Sequence, residues 1–399
     1  MSNQRAYRFL EGLQLQTSMA LGEEPRQSAL PEDMVKGIHD DLAHVINENI
    51  SPEGMAESLD RILGELSVSM PTKYENPLSY RIMVGLADRL KKAGEDLEIK
   101  PWPELAIGSL RTGQINALTL AIPRQNEYVV AFEDGVFTYA LLLSKIIAQT
   151  MKYHFVEDGG VSLSVKEEDI LQTIAANPEI LSRFTEVVAM YAIYGDPSRA
   201  RQYILPDRVQ IITSQLLLNS LELFILGHEY GHAIAGHLSS AKRTASLLPG
   251  AEATAEAEAE VEEIAYAWSQ EYEADFIGMH LAIAAMRLAE KVDVALSFWG
   301  ADFFFSSMDV MDKAVSLLRH GDETRIQLGS HPPHTNRRDF QRESLKRSAE
   351  NEIAEGAIGL GQAIEFAVAE LWKLARPIIA RMHDEGVRPA RVWAAGEDR

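Results

Sequence analysis

Apolar positions along this chain recur mostly at the helical period, three or four residues apart. The strongest stripe runs through Leu217, Leu218, Leu221, Phe224, Ile225 and Leu226 and continues to Ala233, Ile234 and Leu238, with no proline from 207 to 248. So wide a stripe predicts a helix buried on most sides. A second stripe takes Ala267, Trp268, Tyr272, Phe276, Ile277, Met279 and Ile283. Amphipathic helices are expected over 31–66 and 76–97, with Pro71 and Pro77 in the link. Residues 150–220 read as extra helices. A long helix is expected from 361 to 385, interrupted at Pro377, and the final VRPARVWAAGEDR reads as a loose tail. Period two appears only at 114–122 and 127–133. These predict two strands joined by a Pro-Arg-Gln-Asn turn, with a helix beginning after Asp134-Gly135. The expected class is mainly α with a small antiparallel β-sheet (α+β). Three segments are expected: a helical region over 1–105, a core over 106–345 with a helical insertion at about 150–220, and a C-terminal helix and tail over 346–399.

One segment breaks the pattern. In segment 239–265, Lys242-Arg243 precede a Leu-Leu-Pro-Gly break and then AEATAEAEAEVEEIA, with six glutamates within 252–263. Alanine and glutamate favour helix, and the charge resists burial. The expectation is a solvated helix extension; a mobile flap over a cleft is the functional alternative.

Chemistry enters at His228-Glu229-Tyr230-Gly231-His232, an H-E-x-x-H on the strongest helix. Histidines at i and i+4 share a helical face. Their neutral nitrogens can bind one Zn²⁺ at about 2.0–2.1 Å, with the glutamate as general base. Burying such groups without partners is costly, and a metal is such a partner. Gly231 and Gly236 are poor helix residues; a missing side chain lets another element approach, or simply loosens a helix end. A catalytic zinc needs a third protein ligand and an open fourth position. On the second helical stripe, Glu271 and Asp275 stand at i and i+4. A division of labour fits this pair: Glu271 as ligand, and Asp275 holding a ligand histidine by its second ring nitrogen.

HEYGHAIAGH followed by EYEAD resembles the gluzincin metallopeptidases, especially the HtpX-type and CAAX prenyl protease-type group. The resemblance implies a zincin-like metallopeptidase core with additional helices. It implies His228, His232 and Glu271 as zinc ligands, Glu229 as general base and Asp275 as the orienter. Glu273 projects about 200° around the helix from Glu271 and is not the implied ligand. His237 matches the group's common Gly-His after the zinc helix and reads as structural. His331-Pro332-Pro333 with Arg337 is similar to a loop whose family role is to bind substrate and the tetrahedral oxyanion, a task His and Arg donors suit; His334 is a competing donor. Asn116 and Ala117 match a strand whose edge pairs with peptide substrate in gluzincins. The resemblance spans 114–140, 222–280 and 328–340. The chain departs from it in the 80 or so residues near 150–225, and in lacking a clear run of the roughly 20 apolar residues that a membrane span needs.

Composition narrows partners further. The net charge of −21 argues against nucleic acid and anionic membranes. An apolar content of 46% supports a real core, and the absence of cysteine excludes disulfide and thiol chemistry. No secretory signal is read in the first 25 residues. The expectation is a cytoplasmic zinc endopeptidase acting on a peptide or protein substrate, without an integral membrane span. One alternative is a Lit-type or regulator-cleaving gluzincin with a single protein target. The other is a non-catalytic helical scaffold whose zinc is absent or structural, closed by His237, Asp275 or His331.

Overall fold

The computed structural model describes residues 3–22, 24–25, 28, 70–113, 117–122, 127–156, 160–239, 242–246, 260–264, 267–325, 331–390 and 393. The helix expected at 31–66 lies outside these. Helix α1 (Gln4–Ala20) leads. Helix α2 (Pro77–Asp96) starts where Asn76 Oδ1 accepts hydrogen bonds from the Leu78 and Ser79 amides and Pro77 occupies the first turn. Strands β1 (Ala106–Leu110), β2 (Ala117–Ala121) and β3 (Tyr128–Glu133) follow, and the chain then enters α3 (Asp134–Thr150). The 150–220 insertion holds a short hairpin, β4 (Tyr153–Phe155) and β5 (Val161–Leu163), and helices α4 (Glu167–Ala176) and α5 (Pro178–Tyr194).

The α+β class is as expected, but the sheet is mixed. β6 (Lys242–Ser246) and β7 (Glu260–Ile264) complete the strand order β1-β3-β2-β7-β6. β1 runs parallel to β3, because β2 turns back along the opposite side of β3; the other pairs are antiparallel. The helix expected near 252–263 is also corrected. Residues 260–264 are strand, paired with 242–246 and with Leu120 and Ala121 of β2. Ladder hydrogen bonds on both sides outweigh the helical propensity of an Ala-Glu sequence. The tip at 247–259 lies outside the described residues, so the flap expectation does too.

Both faces of the sheet are covered. Ala106, Leu110, Leu120, Val129 and Ala131 pack against Ala6, Leu10 and Leu13 of α1. The alternate residues Ile107, Val130 and Phe132 belong to the main helical core. Hence β1 is buried at all five positions rather than every second one.

Helix α6 (Arg208–Ile234) is the axis of that core. It begins after Pro206 at Asp207, whose side chain accepts the Gln210 amide at 2.9 Å. By length and composition α6 could cross a membrane, with a mean hydropathy of 1.5 over its most apolar stretch; 61% of that stretch is buried inside the fold. Helices α7 (Trp268–Glu290), α8 (Val294–His320), α9 (His334–Ser348) and α10 (Asn351–Asp384) complete the chain. α10 runs through Pro377 without a break. Pro377 is exposed, so the carbonyl it leaves unbonded faces water. The expected loose tail is in part packed: the Ala390 amide bonds to Ala192 O at 2.9 Å, and the Trp393 ring meets Tyr191 edge-on. A single apolar cluster draws on Met83, Phe224 and Ile379 alike, crossing all three expected segments.

Candidate metal centre

α6 and α7 approach closely enough to face their polar side chains. A Cβ on Gly231 would lie 2.7 Å from Ala274 O, and one on Gly278 would lie 2.7 Å from the His228 amide. Gly231 is thus the door through which α7 enters. Gly236 serves differently: its φ of +78° ends the helix and turns the chain so that His237 folds back toward it.

His228, His232 and Glu271 converge across this contact, each offering one ligand atom within 4.8 Å of the others. His228 Nε2 lies 3.1 Å from His232 Nε2. Glu271 Oε2 is 3.6 Å from the first nitrogen, and Oε1 is 3.6 Å from the second. Three ligand atoms at tetrahedral corners around one Zn²⁺ stand about 3.3 Å apart. Glu271 is 1% exposed, and its Oε2 has no hydrogen-bond partner. Arg337 Nη2 stands 3.4 Å from that oxygen on one side; the space between the oxygen and the two ring nitrogens would suit a cation. The donor set of two imidazoles and a carboxylate suits Zn²⁺.

Each histidine is held from behind. His228 Nδ1 lies 2.9 Å from Asp275 Oδ1. Arg337 grips the same carboxylate with both ends of its fork, Nη2 to Oδ1 at 2.6 Å and Nε to Oδ2 at 2.7 Å. Burial alone would raise the Asp275 carboxyl, but Arg337 and His228 outweigh it and hold it at about 2. Asp275 is therefore an anion, and His228 Nδ1 must donate to it, leaving Nε2 for a ligand. Burial disfavours the imidazolium of His228, yet the Asp275 bond and charge raise its pKa overall. His232 moves the other way: burial, then the neighbouring His228 and His237, lower it strongly. A neutral His232 is the metal-binding form.

Glu229 is almost fully buried and accepts a hydrogen bond from Thr119 Oγ1 at 2.6 Å. Burial pushes its carboxyl up to about 7, against the pull of His228 and the Thr119 hydroxyl. Thr119 stands in the middle of β2. Its side chain takes the face of Ala117 and Ala121, opposite Leu118 and Leu120, and so points at α6 rather than α1.

Of the other expected residues, His331 comes near, with Nε2 3.6 Å from Glu271 Oε1 and its side chain 40% exposed. Arg337 is buried, with its fork on Asp275 and Nη2 3.4 Å from Glu271 Oε2. His334 is turned away to Asp312, 3.2 Å distant. Ala117 lies on β2 opposite Phe132. Asn116 lies outside the described residues. Two further residues carry little signal in the sequence: Thr119, and Glu273, whose Oε2 is 3.0 Å from His237 Nε2. The only sequence signal for Thr119 is its parity with Ala117. Comparison with family models, curated proteins and solved structures gives no match to this chain.

Proposed function

We propose that the chain is a zinc-dependent endopeptidase of the gluzincin kind, working on peptide or protein substrates. The observation that carries this reading is the buried trio His228, His232 and Glu271 with the carboxylate of Glu229 beside it. When bound there, Zn²⁺ supplies Lewis acidity, making a water easier to deprotonate and a peptide carbonyl easier to attack. The rest belongs to the chain. Glu229 Oε takes the proton of the attacking water and returns it to the leaving amine. Thr119 fixes the Glu229 carboxylate in one orientation. Asp275 fixes the His228 tautomer, and Arg337 fixes Asp275. His331, half-exposed at the rim, is the donor available to a developing oxyanion.

β2 runs beside Glu229: Thr119, which bonds the Glu229 carboxylate, is next to Leu120 and Ala121, where β7 pairs with β2. Two candidates for closing a structural site, His237 and Asp275, face the outer nitrogens of the ligand histidines. The third candidate, His331, has Nε2 3.6 Å from Glu271 Oε1 but a side chain 40% exposed at the rim, and we take this as favouring an open, hydrolytic centre over a closed one. The acidic net charge and the absence of cysteine support a cytoplasmic setting.

The test compares wild type with Glu229→Gln and His232→Ala, measuring zinc by mass spectrometry and cleavage on a peptide library. Wild type should carry one zinc and cleave. Glu229→Gln should keep the zinc and lose cleavage by about 10²–10⁴-fold. His232→Ala should lose the metal. Undiminished cleavage by Glu229→Gln sinks the mechanism.

A further inference from the structure

His228 has an obvious support in Asp275. His232 has a longer one. Its Nδ1 lies 3.1 Å from His237 Nδ1, and His237 Nε2 lies 3.0 Å from Glu273 Oε2. His237 is 6% exposed, whereas the Glu273 side chain is 59% exposed. The run therefore reaches from the buried metal trio to the surface in three residues.

Between Glu273 and His232 Nδ1, one set of neutral tautomers satisfies both contacts. Glu273 Oε2 is an acceptor, so His237 Nε2 must carry the proton that faces it. His237 Nδ1 is then bare and accepts. His232 Nδ1 must donate to it, which leaves the His232 Nε2 lone pair facing the bare His228 Nε2 3.1 Å away, a pairing that a cation between the two nitrogens would relieve. The reverse arrangement sets a bare His237 Nε2 against a carboxylate oxygen, two acceptors at 3.0 Å.

We propose that His237 and Glu273 are positioning residues for the metal centre: together they lock His232 in the Nδ1–H tautomer, with Nε2 free to bind the metal. This rests on the proposed zinc site, and it gives the two ligand histidines matched supports: Asp275 directly for His228, and Glu273 through His237 for His232. Gly236 is the hinge of the device, since its left-handed turn brings His237 under the helix end. The pair also explains the second acid of Glu271-Tyr272-Glu273, which sits on the far side of α7 from the ligand and reaches the same site by another route.

The experiment uses the full chain in two states. In the metal-free protein, the ¹⁵N imidazole shifts of His232 report its tautomer without any metal. Zinc alone is then titrated against a competing chelator. Expected are Nδ1–H on His232 in wild type, and zinc affinity about 10–100-fold weaker in His237→Phe, which keeps a ring but offers no acceptor. His237→Asn, whose amide oxygen falls near the place of Nδ1, should recover most of that loss. Glu273→Ala, at an exposed position that leaves the fold untouched, should weaken zinc by a smaller factor. An Nε2–H tautomer in wild type overturns the proposal. So does wild-type affinity in both His237→Phe and Glu273→Ala, or an Asn variant as weak as the Phe variant. A wild-type chain that takes no zinc defeats the enzyme reading, and the tautomer measurement then decides the relay on its own.

Discussion

Thr119 and Glu229 are 110 positions apart, and their 2.6 Å hydrogen bond ties the sheet to α6. A buried carboxylate with several rotamers open to it is a poor base unless one of them faces the substrate. Removing the Thr119 hydroxyl makes Glu229 a little more basic but frees its orientation, and geometry has the larger effect. Hydrogen bonds to charged groups are worth about 1.5–3 kcal/mol. Thr119→Val should therefore lower kcat about tenfold or more while zinc content stays at the wild-type value. Unchanged kcat would remove Thr119 from the site, and lost zinc would mean that β2 itself had shifted. His228, Glu229, His232, Glu271 and Asp275 could be read from sequence because one helical period sets each group. Thr119 could not, because nothing local says which α6 residue faces β2. Arg337 was found but cast differently: as a free donor it suits an oxyanion, yet in the fold Asp275 takes both ends of its fork.

At the scale of elements, the site exists because two helices touch backbone to backbone. Gly231 faces Ala274, Gly227 faces Gly278, and Gly278 faces the His228 amide. A side chain at any of these contacts pushes α7 outward and carries Glu271 away from the histidines. Gly231→Val should destabilise the protein by about 1–3 kcal/mol through overpacking. It should also weaken zinc by more than this loss of stability explains. Denaturant unfolding of the metal-free protein beside zinc titration separates the two, and a variant with normal zinc affinity would show that the close approach is not needed. The helical half of the fold was readable because its periods are long and uninterrupted. The hairpin β6–β7 was not. Its Ala-Glu composition speaks for helix, and only the open edge of β2, distant in sequence, makes a strand the better use of 260–264. Helix α9 also hid its role. It looks like a polar surface helix, yet Arg338 and Arg342 are buried against Asp302, Ser306 and Glu365.

Across the whole molecule, a single core joins segments that sequence alone divides, and it encloses carboxyl groups that no metal site uses. Glu133, at the junction of β3 and α3, accepts hydrogen bonds from the Thr112 amide and hydroxyl. Burial, against those bonds, pushes it up to about 8. Glu222 of α6 rises to about 8 by burial, with Arg89 pulling the other way. Between about 4.5, the ordinary value for an unfolded glutamate, and 8, the folded state holds a proton at each position that the unfolded state has released. Where the native state binds more protons, stability falls as pH rises. Their contribution is thus complete below about pH 4.5 and is lost as pH climbs through about 8. Urea unfolding of the metal-free chain at pH 5.5 and pH 8 should show a loss at the higher pH. Glu133→Gln, which keeps the shape and an acceptor for Thr112 without the charge, should lose less over that interval. Because every other titrating group is common to both proteins, the difference between them isolates Glu133. Equal losses in the two proteins would mean that Glu133 is ionised in the fold throughout, its charge held by the hydrogen bonds around it.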